Sequence, residues 1–162
     1  MANLYHSLFA LKLLSLLGCG LVAGVFFAFS TFVMPALARL QPMQGLAAMQ
    51  AINIAAINPL FMTAIFGTAA ICIFLVCSSL LKWNQPGSAY LLLGSLCYLI
   101  GAVLVTFAFN VPLNDALAKV DPESINGANL WAKYLNDWTF WNHVRTIASL
   151  AAAALFAIGL SK

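Results

Sequence analysis

Near the C-terminus of the chain, aromatic and polar side chains recur at the spacing of one helical face. The row consists of Trp131, Tyr134, Trp138, Trp141, Asn142 and Arg145. Residues three and four apart are neighbours on an α-helix, so the row predicts a stripe that ends in a guanidinium. Arg145 stands inside an apolar stretch, and an ionisable group at membrane depth costs about 2.5 kcal/mol or more. We therefore expect Arg145 to have a function.

Asparagines cluster where the longer connections meet the apolar segments: Asn53, Asn58, Asn110, Asn114 and Asn142. An unpaired amide in hydrocarbon costs several kcal/mol, so these residues and Arg145 outline a polar pocket for a small molecule between helices. The alternative is structural: Asn58 caps a helix, the asparagines beside Pro112 bond the backbone that the proline frees, and Arg145 snorkels to the headgroups. For Asn58 we favour the cap, and for Asn142 with Arg145 we favour a ligand site.

His143 is the candidate general base of this region, because an imidazole changes its protonation near neutral pH. On a helix it points about 160° away from Arg145, so in the alternative it faces lipid headgroups or a different helix. The tryptophans of the row also have a plain alternative, an aromatic belt that anchors a helix at the lipid interface. We leave both alternatives open.

Metal-ligating side chains show no pattern of a metal or haem site. The acidic residues Asp115, Asp121, Glu123 and Asp137 lie together between the last two apolar segments, and we interpret them as solvated. Two separate histidines do not make a bis-histidine haem site. The four cysteines stand inside apolar segments with no Cys-x-x-Cys, which fits neither a zinc site nor a redox dithiol. The sequence thus predicts neither a metal nor a cofactor.

Composition places the chain in a membrane. Its 162 residues are 64% hydrophobic and 7% charged, whereas a soluble domain carries about 25% charged residues. The net charge of +3 comes from scattered residues without a basic run, which excludes nucleic acid as a partner. Membrane lipid and a hydrophobic small molecule remain as partners.

The apolar segments are long enough to cross a hydrocarbon core of about 30 Å, and lipid requires them to be helices. They are residues 8–33, 59–81, 89–109 and 140–160. Asn58 and Pro59 predict the N-cap and first residue of the second helix, and residues 82–88 predict a tight turn. We predict an all-α fold, an integral membrane four-helix bundle that forms one domain over residues 1–162, with a retained first span.

Two longer connections fall on one side of this bundle, and the termini and the tight turn fall on the other. Residues 34–58 predict an amphipathic helix at the interface. Residues 110–139 predict a kink at Pro112 and a turn at Asn126-Gly127 before the aromatic row. We place the termini of this multi-pass protein in the cytoplasm, because Lys12 flanks the first span.

Several motifs of the chain occur together in one known family. They are Gly24 with Phe26, Phe29 and Met34-Pro35-Ala36-Leu37, then Ile52-Asn53, then Asn110-Val111-Pro112-Leu113-Asn114, and finally Trp138-x-x-Trp141-Asn142-x-x-Arg145-Thr146. This pattern resembles the anthrone oxygenase-like family of small four-span membrane proteins, also carried as a domain of unknown function. The resemblance spans nearly the whole chain.

The resemblance implies a membrane-embedded, cofactor-independent oxygenase. Some fungal members look to be monooxygenases that convert a polycyclic anthrone to an anthraquinone with molecular oxygen, without a metal or flavin. By this resemblance the substrate is anthrone- or quinone-like, and Arg145 stabilises its enolate. The other implied roles are donors at Asn110, Asn114 and Asn142, stacking by Tyr134, Trp138 and Trp141, a substrate contact at Asn53, and proton transfer to His143 or Asp137. The alternative is a non-catalytic membrane subunit that binds a lipid, pigment or quinone or supports a larger complex.

Overall fold

The computed structural model describes the backbone of residues 2–162 and the side chains of residues 8–162. The described backbone is helical almost throughout and contains no strand. Four helices are long and apolar enough to cross a membrane, and we call them spans 1 to 4: Leu8–Leu37, Pro59–Leu81, Ser88–Ala118 and Ile125–Leu160. These findings confirm the all-α, membrane-spanning four-helix fold.

The spans are not uniform α-helices. Regular α-helix covers Ala2–Ala28, Met34–Leu37, Pro59–Met62, Thr68–Leu81, Ser88–Tyr98, Val111–Ala118 and Ile125–Leu160, and a separate helix, Pro42–Ala56, connects spans 1 and 2. Wider π-helical turns occupy Phe29–Val33, Thr63–Gly67, Leu99–Leu104 and Thr106–Asn110. Because π-helical turns inside α-helices often accompany functional sites, their positions in spans 1 to 3 direct attention to the end of the bundle near the long connections.

Two of the π-helical turns stand directly before prolines. The N–H of Met34, next to Pro35, donates to Phe29 O, and the N–H of Val111, next to Pro112, donates to Thr106 O. A proline ring clashes with the carbonyl oxygen four residues earlier, and a widened turn relieves that contact. Span 1 therefore continues to Leu37 and span 3 to Ala118, beyond the predicted ends at residues 33 and 109.

Span 4 is much longer than the predicted 140–160. It is one helix of 36 residues, Ile125–Leu160, or about 54 Å, against a hydrocarbon core of about 30 Å. The predicted turn at Asn126-Gly127 is wrong, because Ser124 caps this helix and its Oγ accepts from Gly127 N at 2.9 Å. Gly127 suits the first turn, since a Cβ there would lie 2.5 Å from Asp121 O. The aromatic row thus begins on a helix that projects from the membrane.

Buried apolar side chains form two separate clusters. The bundle core lies among the membrane spans and consists of Cys19, Val22, Phe26, Ala69, Cys72, Leu75, Leu91, Tyr98, Ala102, Ala152, Ala153 and Phe156. The cap core lies at the end of the long connections and consists of Met34, Leu37, Leu46, Met49, Leu117, Trp131, Tyr134 and Trp138. The connecting helix Pro42–Ala56 buries its apolar face against the cap core, so protein covers the face that we had assigned to a lipid interface.

Contacts at the opposite end fix the topology. Lys12 Nζ donates to Gly159 O at 3.3 Å, which places the beginning of span 1 beside the end of span 4. A Cβ built on Gly87, in the tight turn, would lie 3.2 Å from Gly159 O. The beginning of span 1, the end of span 4 and the tight turn therefore share one end of the bundle, as predicted, and the long connections share the other.

Candidate functional site

Arg145 is buried in span 4 and has only neutral polar partners. Its side chain is 5% exposed, Nη1 donates to Thr106 Oγ1 at 3.2 Å, and Nη2 donates to Asn142 Oδ1 at 2.5 Å. Its Nε has no hydrogen-bond partner. Among the described residues no carboxylate pairs with this guanidinium. A buried, unneutralised cation of this kind favours an anion beside it.

Aromatic rings supply the rest of the surroundings of Arg145. Its Cζ lies 4.2 Å from the centroid of the Phe26 ring and 5.1 Å from that of the Trp138 ring. A desolvated cation over an aromatic face gains about 2 kcal/mol or more, which offsets part of the burial cost. Arg145 therefore lies well inside the protein and does not snorkel to the headgroups.

Asn142 holds Arg145 in place. Its Nδ2 donates to Phe26 O at 2.6 Å and to Ser30 Oγ at 2.7 Å, while its Oδ1 accepts from the guanidinium. Both groups of the amide are thus used within the protein, and the side chain is fully buried. Asn142 acts as a positioning residue that ties span 1 to Arg145.

A cavity of about 890 Å³ adjoins this group. Its wall is mostly apolar and comes from spans 1, 2 and 3 and the connecting helix, with Trp138 and Arg145 as the contributions of span 4. Ligand sites for drug-sized molecules have volumes of about 300–1,000 Å³ and mostly apolar walls with a few polar groups. The cavity can therefore hold a flat polycyclic molecule against the guanidinium.

Some of the predicted substrate-binding residues line the cavity, and others form hydrogen bonds to residues of its wall. Trp138, Asn114 and Asn53 line the cavity. Tyr134 is buried and donates to Asn114 Oδ1 at 2.8 Å, which leaves the Asn114 amide nitrogen available as a donor. Asn110 is 1% exposed and its Nδ2 donates to Trp138 O at 3.2 Å, so it joins spans 3 and 4 rather than bonding the backbone beside Pro112.

The aromatic row also divides. Trp131, Tyr134 and Trp138 are 3%, 0% and 5% exposed, so they belong to the cap core and not to an interfacial belt. Trp141 is half-buried and stacks on Phe109, with ring centroids 3.6 Å apart and planes 5° apart. It does not line the cavity. Trp138 is therefore the one member of the row placed to stack on a ligand.

Neither predicted proton acceptor lies in the cavity wall. His143 is exposed on the outer side of span 4, and Asp137 is half-buried; the wall contains neither residue. The wall does contain Asp115, which the sequence led us to treat as a solvated surface residue. Asn58, also at the cavity, is the helix cap that we expected, since its Oδ1 accepts from Phe61 N at 3.0 Å.

Some residues of the site carried no usable signal in the sequence. Phe26, Ser30 and Thr106 complete the surroundings of Asn142 and Arg145, yet phenylalanine, serine and threonine are ordinary in membrane helices. Within the described part of the chain, no three histidine, cysteine, aspartate or glutamate side chains come together in a way that could hold a metal ion.

Comparison with known proteins agrees with the motifs of the site. No curated protein and no solved structure matches the chain. The profile of the anthrone oxygenase family matches residues 59–155, more than half of the 162-residue chain. The matched region includes spans 2 and 3 and the part of span 4 that carries Trp138, Asn142 and Arg145. The chain belongs to the anthrone oxygenase family.

Proposed function

We propose that the protein is a membrane-embedded oxygenase that needs no cofactor and oxidises a hydrophobic polycyclic substrate of the anthrone type. The observation that carries this proposal is a buried guanidinium without a carboxylate partner in the wall of a large apolar cavity. An anthrone loses a proton to give a delocalised enolate, and the enolate reacts directly with oxygen. The site offers two features that favour this reaction: a positive charge for the enolate and a mostly apolar wall.

The overall chemistry balances without an added reductant. The methylene carbon of the anthrone loses two hydrogens and gains one oxygen atom from O₂, and the second oxygen atom leaves with those two hydrogens as water. Arg145 stabilises the enolate oxygen, Trp138 stacks on the flat ring system, and the Asn114 amide lies farther along the same wall as a second donor. Asn142 keeps the guanidinium aimed at the cavity.

Asp115 is our candidate for receiving the proton, because it is the carboxylate in the cavity wall and is solvent-exposed. It lies nine residues beyond Thr106 on span 3, or about 13 Å along a helix. That distance exceeds the width of one aromatic ring, so Asp115 does not touch the reacting carbon while Arg145 holds the oxygen. A water molecule would carry the proton from that carbon to the mouth of the cavity, where Asp115 would accept it and release it to solvent.

This separation also favours one specific alternative. A cavity that holds a cation but no adjacent base suits a non-catalytic subunit that binds an anionic lipid, pigment or quinone. The two functions differ in turnover: the oxygenase consumes O₂ with an anthrone, whereas the binding subunit retains a ligand and leaves the O₂ concentration unchanged.

The test is oxygen uptake and anthraquinone absorbance with purified protein and anthrone in phosphatidylcholine vesicles. Arg145→Gln should lower kcat by about 10²-fold or more, the usual effect of removing a donor to an oxyanion. The matched control is Arg39→Gln, because Arg39 is exposed and does not line the cavity. Should Arg145→Gln fail to fold, Arg145→Lys keeps the charge and should recover part of the rate.

Two outcomes count against the oxygenase. Turnover that is unchanged in Arg145→Gln, with helical content retained, removes Arg145 from the mechanism. A folded parent protein that binds anthraquinone but never consumes O₂ with anthrone supports the binding subunit instead.

A further inference from the structure

The mouth of the cavity is formed by exposed apolar side chains. Ile54 and Ile57, at the end of the connecting helix, are 75% and 76% exposed, and Phe66 and Phe107 are 47% and 53% exposed. All four line the cavity. An opening into water would leave these side chains solvated, whereas an opening into lipid places them in a matching solvent.

The depth of the opening agrees with lipid. Phe66 lies seven residues after Pro59, the first residue of span 2, or about 10 Å along the helix, which is within a hydrocarbon core of about 30 Å. It is the last residue of span 2 that lines the cavity. Its ring stacks on that of Phe107 in span 3, with centroids 6.2 Å apart, so this pair closes the edge of the opening that lies towards the tight turn.

Lipid-facing surface continues past this edge. Phe74, two turns farther along span 2, is 54% exposed, and Leu60 at the start of the span is 85% exposed. The opening between spans 2 and 3 therefore interrupts a surface that faces acyl chains on both sides. The polar part of the rim consists of Asp115 and Asn58. The carboxylate of Asp115 repels anions that approach from the aqueous side.

We propose that the cavity is filled sideways from the bilayer, through the opening between spans 2 and 3, and that Phe66 and Phe107 form the sill over which the ligand passes. The ligand is a neutral, flat aromatic molecule dissolved in the hydrocarbon, and it becomes an anion only beside Arg145. The class of ligand rests on the proposed function, but the route does not depend on catalysis.

The test is the order of addition in a variant that can be bridged across the sill. Phe66→Cys and Phe107→Cys are introduced together, with Cys77→Ser and Cys97→Ser to remove the exposed and half-buried native thiols. A short bis-methanethiosulfonate reagent bridges the pair in phosphatidylcholine vesicles that contain anthraquinone. After extraction with excess empty vesicles, mass spectrometry measures the anthraquinone that remains with the protein.

Bridging before anthraquinone is added should reduce the bound amount at least tenfold. Bridging afterwards should trap the ligand through the extraction, and dithiothreitol should reverse both effects. The control is the single Phe66→Cys protein, which cannot bridge, so the reagent should leave its bound anthraquinone equal to that of the untreated Phe66→Cys protein. Equal binding in both orders of addition overturns the proposed route.

A second variant covers the case in which the cysteine pair misfolds or does not bridge. Phe66→Ala removes half of the sill, so the anthraquinone retained after a fixed extraction should fall severalfold. Phe74→Ala is the matched control, because Phe74 has similar exposure on the same span but does not line the cavity. Equal retention of anthraquinone in the two variants would contradict the proposed role of Phe66 in the sill.

The outcomes separate the route from the function. A parent protein that traps anthraquinone as described but does not oxidise anthrone retains the lateral route and loses the oxygenase function. Undiminished anthrone turnover in the bridged protein leaves the function standing and overturns the route.

Discussion

The two ends of the bundle differ in backbone geometry and in the kind of polar group that they bury. Towards the tight turn, spans 2 and 3 are regular α-helices, and helices approach closely at glycines: a Cβ on Gly94 would lie 3.3 Å from Ala152 O. Towards the long connections, spans 1 to 3 contain π-helical turns and surround a cavity of about 890 Å³. One end is closely packed, and the other contains the widened turns and the cavity.

Both ends contain buried polar atoms without a partner, but their polar groups differ in kind. Among the described residues, four buried serine hydroxyls, one in each span, have no partner: Ser15, Ser79, Ser95 and Ser149. Beside the cavity, Asn110 Oδ1, Trp138 Nε1 and Arg145 Nε also have none, yet Asn142 uses both ends of its amide, and Arg145 has two bonded nitrogens. Small hydroxyls permit close helix contact, whereas the larger amide and guanidinium are built into a specific network. The closed end therefore buries small side chains that allow close helix packing, whereas the open end contains a hydrogen-bond network that positions Arg145.

The largest loss of stability at the open end should follow from removal of the Asn142 amide. Asn142→Leu leaves Arg145 and Ser30 without their common partner, and the loss of a hydrogen bond to a charged group costs about 1.5–3 kcal/mol. The free energy of unfolding, measured by SDS titration in micelles, should fall by that amount. Asn136→Leu is the control, because Asn136 is exposed on the same helix and its side chain donates only to Ala132 O. Equal losses in the two variants would remove the special role of Asn142.

The closed end should instead be destabilised by a larger side chain at a helix contact. A Cβ on Gly18 would overlap Thr68 Oγ1 and lie 3.1 Å from Thr68 Cβ, whereas a Cβ on Gly20 would meet nothing within 4 Å. Gly18→Ala should therefore destabilise the protein by about 1–3 kcal/mol through overpacking, and Gly20→Ala should be neutral or stabilise it by about 0.5–1 kcal/mol. The same SDS titration measures both. A tolerated alanine at residue 18 would show that spans 1 and 2 are less tightly packed than the structure indicates.

Sequence reasoning predicted local features more fully than contacts between distant segments. Apolar run length locates spans, because lipid leaves a helix no alternative, and span 2 was predicted with its bounds at Pro59 and Leu81. The spacing of Asn142 and Arg145 predicted neighbours on one helix face, and the structure joins them by a hydrogen bond. Local pattern and helix geometry were sufficient for these features.

The remainder depends on contacts between distant segments. An Asn-Gly pair is a local turn signal, but the Ser124 cap and the packing of Gly127 against Asp121 extend the helix through it. The burial of Trp131 depends on the connecting helix, where Gly45 allows the approach. The cavity depends on how far spans 2 and 3 separate, which no residue pattern records. Asp115 was missed for that reason.

The smallest expected effect on stability comes from comparing one buried serine of each end. This comparison also tests most directly how the two ends use polar atoms. Ser30 and Ser95 are both buried, at 6% and 0% exposure, but Ser30 accepts from Asn142 at 2.7 Å and Ser95 has no partner. Ser30→Ala should cost about 0.5–1.5 kcal/mol, the net value of one hydrogen bond. Ser95→Ala removes an unpaired hydroxyl and should change stability by less than about 0.5 kcal/mol. Equal losses in SDS titration would show that the hydroxyl of Ser95 is paired and that the two ends do not differ in this respect.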